Sequence, residues 1–179
     1  MYRFKDINSF QKTRLYVAYG SNMNTSQMQH RCPGAQHIGV VDIPGYKLAF
    51  MHHGVATILP DEQSSIKGLA WRITPSNEDR LDRYEGAPYF YVQQQITVSK
   101  DGSDMEMMAY IMNPEFHVPG LPSEPYYECI AQAYDEFGLD TAPLERALGE
   151  AALAVRDGRL HRPPARRPGR WNLAGCCLP

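Results

Sequence analysis

Hydrophobic and polar positions along the chain follow two periods. Residues 15–19 form an apolar, aromatic-rich run that stops at Gly20. Residues 36–41, 46–51, 55–59, 66–73, 91–99 and 105–112 carry the short runs and alternation expected of strands. Pro44-Gly45, His53-Gly54, Pro60-Asp61 and Asp101-Gly102 punctuate them and predict turns, the last at a hairpin tip. Six or seven strands joined mostly by short turns must close on themselves or be covered, because open edges invite aggregation. The pattern therefore predicts an α+β domain, a small mixed β-barrel of about six strands flanked by helices.

Helical periodicity falls between and after these runs. Residues 24–31 read as a short helix with Asn24 and Gln27 spaced as a capping box, ended by Cys32-Pro33-Gly34. In the helix over 74–85, Thr74 is the N-cap, Pro75 the first position and Gly86 the stop, with Leu81 and Tyr84 on the buried side. A further helix starts at Ser123, with Tyr127, Ile130, Tyr134 and Phe137 at helical spacing and Gly138 as its end. The last, over 141–157, uses Leu144, Leu148 and Val155. The proline-rich connection 113–122 reads either as a cover over a site mouth or as a plain linker. Residues 1–13 read as an N-terminal extension and 14–157 as a single domain. Residues 158–179 read as an Arg/Pro-rich tail, too poor in apolar groups to repay its ordering entropy unless Trp171 and Leu173 dock on the body.

Composition narrows the class only modestly. A chain of 179 residues with 43% hydrophobic and 21% charged residues suits one globular domain with a real core. Its apolar runs fall far short of the roughly 18 residues that span a bilayer, so a cytoplasmic protein without membrane attachment is expected. Cys32, Cys129, Cys176 and Cys177 show no CxxC spacing, which argues against a zinc site or a disulfide framework, and Cys129 reads as a small buried hydrophobe. Of the net charge of −2, residues 156–179 hold six Arg against one Asp, which leaves residues 1–155 near −7. No aromatic-interleaved basic face occurs in the body, so no nucleic-acid partner is expected.

Two places carry candidate chemistry. Gly20, with no Cβ, can adopt dihedrals closed to other residues and approach a ligand closely. Ser21, Asn22 and the N–H groups leading into the following helix offer donors to a carboxylate or a developing oxyanion. The plainer reading is a strand, a turn and a capped helix. Glu85 lies at a helix C-terminus, the negative end of the macrodipole, among Tyr84, Pro88, Tyr89, Phe90 and Tyr91. Both features disfavour the ionised carboxylate and raise its pKa, which suits a general acid/base near neutrality. The alternative is a solvated helix end. His52 and His53 are adjacent and would face opposite sides of a strand, and His30, His37, His117 and His161 lack metal-ligand spacing. Ser21 is in no G-x-S-x-G turn, and no phosphate loop or dinucleotide fingerprint is present, so neither metal nor cofactor is expected.

Taken in order, three segments resemble one family. Tyr19-Gly20-Ser21-Asn22 closes the first strand, and Leu81-Asp82-Arg83-Tyr84-Glu85-Gly86 follows about sixty residues later. Pro122-Ser123-Glu124-Pro125-Tyr126 opens a helix, and Gly54-Val55-Ala56-Thr57-Ile58 and Lys67-Gly68-Leu69-Ala70-Trp71 lie between. Across residues 14–140 this order and spacing resemble the γ-glutamylcyclotransferase-like family. The resemblance implies a mixed α/β barrel that releases 5-oxoproline from a small-molecule γ-glutamyl substrate. It also implies Glu85 as the base that takes the α-ammonium proton and returns it to the leaving amine. Backbone N–H groups around Gly20, Ser21 and Asn22 would hold the α-carboxylate or the oxyanion. Tyr19 and Tyr126 would orient the glutamyl part, with Tyr16 and Ala18 lining the pocket; each tyrosine has a competing core-packing role. Two departures bear on the substrate. Val92-Gln93 follows Tyr91 where relatives often carry a basic residue, and Asn22 stands where glutathione-specific relatives carry leucine, so glutathione is not the first expectation. A catalytically inactive γ-glutamyl or small-molecule binding domain of the same fold is the alternative function.

Overall fold

A computed structural model describes residues 13–158. Five strands close into a barrel in the order β1-β3-β2-β4-β5. They are β1 (Arg14–Ala18), β2 (Gln36–Met51), β3 (Val55–Ile73), β4 (Tyr91–Lys100) and β5 (Ser103–Met112). All neighbouring pairs are antiparallel except β1 and β5, which run parallel and meet at Tyr16 opposite Met108. The expected mixed barrel is therefore present, with fewer and longer strands.

The difference has a local cause. Pro44-Gly45 and Pro60-Asp61 lie inside β2 and β3 instead of ending them. The pairing passes from Pro44 opposite Ser65 to Tyr46 opposite Pro60, so Gly45 at φ +77° faces an outward bulge of residues 61–64. Asp61 holds that bulge together by accepting from the Gln63 N–H at 3.2 Å and the Ser64 hydroxyl at 3.0 Å. Turn-forming residues thus mark a kink, and the ladder continues on both sides. His53-Gly54 and Asp101-Gly102 are true turns. Asp101 and Gly102 both take positive φ (51° and 78°), the geometry of a two-residue hairpin, between Lys100 and Ser103. His52 and His53 sit in the β2–β3 turn, their ring centroids 4.0 Å apart, and do not face opposite sides of a strand.

The four predicted helices form: α1 (Thr25–Arg31), α2 (Pro75–Glu85), α3 (Glu124–Glu136) and α4 (Ala142–Arg156). Asn24 caps α1 by accepting from the Gln27 N–H at 3.1 Å. Thr74 and Asn77 cap α2 reciprocally, and Gly86 ends it in the left-handed region at φ +65°. Leu144, Ala147 and Ala151 bury one face of α4 against β2. In the core Val17, Ile43, Ile58, Leu69, Ile73, Val98 and Met107 are all buried, and Cys129 is buried on α3. Among the described residues no helix is long and apolar enough to cross a membrane. The extension over residues 1–12 and the tail over 159–179, with Trp171, Leu173, Cys176 and Cys177, lie outside the described residues.

The connection 113–122 is neither a cover nor a plain linker. It packs on the β2–β3 turn: Pro119 bridges to Met51, the Gly120 N–H donates to Phe50 O at 3.2 Å, and the His52 N–H donates to Val118 O. Two glycines make this approach possible. A Cβ on Gly54, at φ +82°, would fall 2.0 Å from Leu121 O, and one on Gly120 would fall 2.0 Å from His52 O. Since α3 begins just beyond, this seam sets where its first turn sits. Gly54→Ala is expected to cost at least about 2 kcal/mol, lowering the thermal midpoint in circular dichroism by about 4–8 °C. Gly102→Ala, at φ +78° with open space around it, should cost about 1 kcal/mol. An unshifted midpoint for Gly54→Ala would contradict the packing of the seam.

Candidate active site

Past Ala18 the chain leaves the barrel through a single 3-10 turn, Ser21–Met23, and enters α1. The end of α1 is tied to α2: Arg80 Nε donates to Arg31 O at 2.7 Å and Asn77 Nδ2 donates to Pro33 O at 3.2 Å. These bonds bring Arg31 and the 3-10 turn beside Glu85, the last residue of α2. The space between this turn, the end of α2, the β2–β3 hairpin and the start of α3 is a cavity of about 530 Å³, its open mouth included.

A short relay occupies its polar side. Arg31 Nη1 donates to Asn22 Oδ1 at 2.6 Å and to Ser21 Oγ at 3.1 Å. That fixes the orientation of the Asn22 amide, and its Nδ2 donates to Glu85 Oε1 and to the Tyr16 hydroxyl, each at 2.9 Å. Arg31 is itself buried, its guanidinium 3.9 Å above the Tyr84 ring centroid. The Ser21 hydroxyl accepts from a cation, which further disfavours a nucleophilic role.

The apolar side is built from tyrosines whose hydroxyls bind backbone. Tyr126 accepts from the Ala56 N–H at 3.1 Å and Tyr91 donates to Ala56 O at 2.7 Å, so α3 and β4 grip the same residue of β3. Tyr19 donates to Tyr110 O, and Tyr110 donates to Asp82 Oδ1 at 2.6 Å. Gly20 lies at φ −119°, so an unusual φ does not require it. Its place is explained by contact: a Cβ there would meet Ala56 Cβ at 3.2 Å and the Tyr126 hydroxyl at 3.7 Å.

Burial pushes the Glu85 carboxyl up to about 7 from its usual 4.5, against the lowering effects of Arg31 and of the Asn22 hydrogen bond. Burial, and next the nearby Glu85, raise the phenols of Tyr16 and Tyr19 well above 10, so both remain protonated donors. The site thus pairs a carboxyl that titrates near neutrality with hydroxyl and amide donors along one cavity, an arrangement suited to moving one proton within a small amide.

Of the residues singled out in the sequence, Tyr16, Tyr19, Gly20, Ser21, Asn22, Glu85 and Tyr126 all line this cavity. Ala18 does not: it is buried where β1 pairs with Leu69 of β3. Sequence reasoning missed Arg31, Tyr110 and Ala56. Tyr110 had a weak signal, lying in register with Met108 and Met112 on β5, and Ala56 lies in a segment noted only for its resemblance. Arg31 had none, because a helix-ending arginine ordinarily reads as solvated.

The fold and this cavity define a cyclotransferase-type barrel, and comparison with known proteins agrees. Residues 16–128 match the family model described as Gamma-glutamyl cyclotransferase, AIG2-like. The chain belongs to that family. It is 34% identical over 155 residues to Gamma-glutamylcyclotransferase of Bos taurus, covering 80% of this chain and 78% of the relative. It is 32% identical over 143 residues to the Homo sapiens protein of the same name, covering 73% of each. A solved structure titled Gamma-glutamyl cyclotransferase superposes with a TM-score of 0.65 at 25% identity, covering 88% of this chain and 92% of that one.

The raised pKa of Glu85 links stability to pH. A carboxyl with a raised folded-state pKa contributes fully below its unfolded value of about 4.5, and the contribution is lost as pH rises through about 7. Glu85→Gln keeps the acceptor for Asn22 but cannot ionise. The variant should therefore gain on the wild type between pH 4.5 and 7, approaching about 1.4 kcal/mol per pH unit, with no further change above pH 8. Denaturant titrations across this range check it, and a constant difference would contradict an elevated Glu85.

Proposed function

We propose that this protein is a γ-glutamylcyclotransferase in which Glu85 is the general acid/base. The reaction cyclises a γ-glutamyl amide, releasing 5-oxoproline and a free amine or amino acid. The α-amine and the γ-carbonyl belong to one substrate molecule, so ring closure needs neither water nor a covalent enzyme intermediate. Holding the chain bent supplies much of the barrier reduction, about 7–11 kcal/mol in well-oriented intramolecular reactions. Glu85 accepts the α-ammonium proton, the amine attacks the γ-carbonyl carbon, and Glu85 gives that proton to the departing nitrogen; ionised again, it takes the surplus proton from the ring nitrogen and hands it to the released amine.

The observation that carries this reading is a carboxyl that lines the cavity 2.9 Å from the fixed Asn22 amide and is raised to about 7. Near neutral pH such a group exists in both protonation states, as one group serving first as base and then as acid requires. In this reading the Ser21 and Asn22 backbone N–H groups bind the α-carboxylate or the oxyanion; the bonds of the 3-10 turn use those of Met23 and Asn24 instead. Tyr19 and Tyr126 shape the wall around the glutamyl chain. A pure binding domain of the same fold has no use for a carboxyl placed in so desolvated a setting, which costs stability.

Release of 5-oxoproline from γ-glutamyl-alanine and a panel of γ-glutamyl amines tests the function. Glu85→Gln should lower turnover by about 10²–10⁴-fold while leaving substrate affinity by calorimetry within a few fold. For the wild type, kcat/KM should rise with pH through about 7, as free Glu85 ionises. Unchanged turnover in Glu85→Gln would sink the assignment. Tight binding of a panel member with no product would instead favour the binding domain.

A further inference from the structure

We propose that Tyr16 is a catalytic residue, whose hydroxyl donates a hydrogen bond to the γ-carbonyl oxygen of the substrate as that oxygen takes up negative charge. The proposal rests on the cyclisation reading above and assigns a role that the reading leaves open.

The argument is one of hydrogen-bond polarity. Each phenol has one proton to give, and the cavity's tyrosines do not spend theirs alike. Tyr19 gives its proton to Tyr110 O, Tyr91 to Ala56 O, and Tyr110 to Asp82. Tyr16 differs because Arg31 fixes the amide of Asn22. With Oδ1 of Asn22 receiving Arg31 Nη1 at 2.6 Å, the amide cannot be flipped, and its NH₂ group must face Tyr16 and Glu85. Tyr16 is therefore an acceptor from protein, at 2.9 Å, and no described residue accepts its proton. Its ring lies against Tyr110, centroids 5.8 Å apart, and it is one wall of the cavity. A protonated phenol that accepts on one side and lines an open cavity directs its proton to a ligand. Burial keeps that phenol protonated, so it serves as a donor and not as a base.

The placement suits this reaction. The Tyr16 hydroxyl and Glu85 Oε1 each lie 2.9 Å from the same Asn22 nitrogen. Once the ring closes, the two substrate atoms that need help, the attacking nitrogen and the carbonyl oxygen, are bonded to the same carbon. In the step, the nitrogen lone pair forms the new C–N bond and the carbonyl π pair moves onto oxygen, where Tyr16 meets it. Glu85 by then holds the ammonium proton. The oxygen pair re-forms the carbonyl, the old C–N bond breaks, and the leaving nitrogen receives that proton from Glu85. Ionised again, Glu85 takes the surplus proton from the ring nitrogen and passes it to the released amine, which departs as its ammonium ion. Atoms and charge then balance with no water and no further reactant. The Ser21 and Asn22 N–H groups are then left for the α-carboxylate.

Tyr16→Phe keeps the ring and its contact with Tyr110 and removes one hydrogen bond, so a folded variant is expected, checked by its melting curve. A donor used only in the transition state predicts a kcat lower by about 10²–10³-fold, with KM within about threefold. Calorimetry with the panel's best substrate on Glu85→Gln, with and without Tyr16→Phe, should give affinities within about threefold of one another. An unchanged kcat, or weaker binding with kcat retained, overturns the role of Tyr16 while leaving the cyclisation reading intact. No 5-oxoproline from the wild type with any member of the panel overturns both.

Discussion

A partly desolvated carboxyl at the rim of a small barrel is the constraint from which the rest of this site follows. Burial alone would keep Glu85 protonated and useless as a base, whereas a direct ion pair with arginine would hold it ionised and useless as an acid. The protein takes a middle course. Arg31 reaches Glu85 through the Asn22 amide, so the cation and one neutral donor lower the pKa partway against a larger desolvation effect, to about 7.

The surrounding fold keeps these three residues in register. They come from three different elements: a 3-10 turn, the end of α1 and the end of α2. Arg80 and Asn77 of α2 bind the backbone at the end of α1, and the left-handed Gly86 stops α2 immediately after Glu85. On the other wall, Tyr91 and Tyr126 clasp the two backbone groups of Ala56, while the glycine seam between the β2–β3 turn and residues 118–122 fixes the approach to α3. Each is an ordinary packing or capping device, and together they leave one carboxyl among the tyrosines that line the cavity.

Much of this was legible in the sequence, for identifiable reasons. Caps and stops such as Asn24, Thr74, Pro75 and Gly86 act locally, so the helix ends could be read directly. Glu85 stood out because its neighbours in sequence are also its neighbours in space. The strand count failed where Pro44-Gly45 and Pro60-Asp61 bend a ladder that long-range pairing carries through, which local turn chemistry does not reveal. Arg31 escaped notice for a related reason: its burial depends on α2, far along the chain. The relay from Arg31 through Asn22 to Glu85 and Tyr16 is a tertiary fact, visible only once β1, α1 and α2 are assembled.

The most direct test is to titrate Glu85 itself. Carbon-13 NMR of protein labelled at the glutamate side-chain carboxyl, with the Glu85 signal identified by its loss in Glu85→Gln, would follow its ionisation without reference to turnover. The account predicts a midpoint near 7. A midpoint near the ordinary value of about 4.5 would contradict it, leaving a carboxylate already ionised and unable to act as an acid near neutral pH.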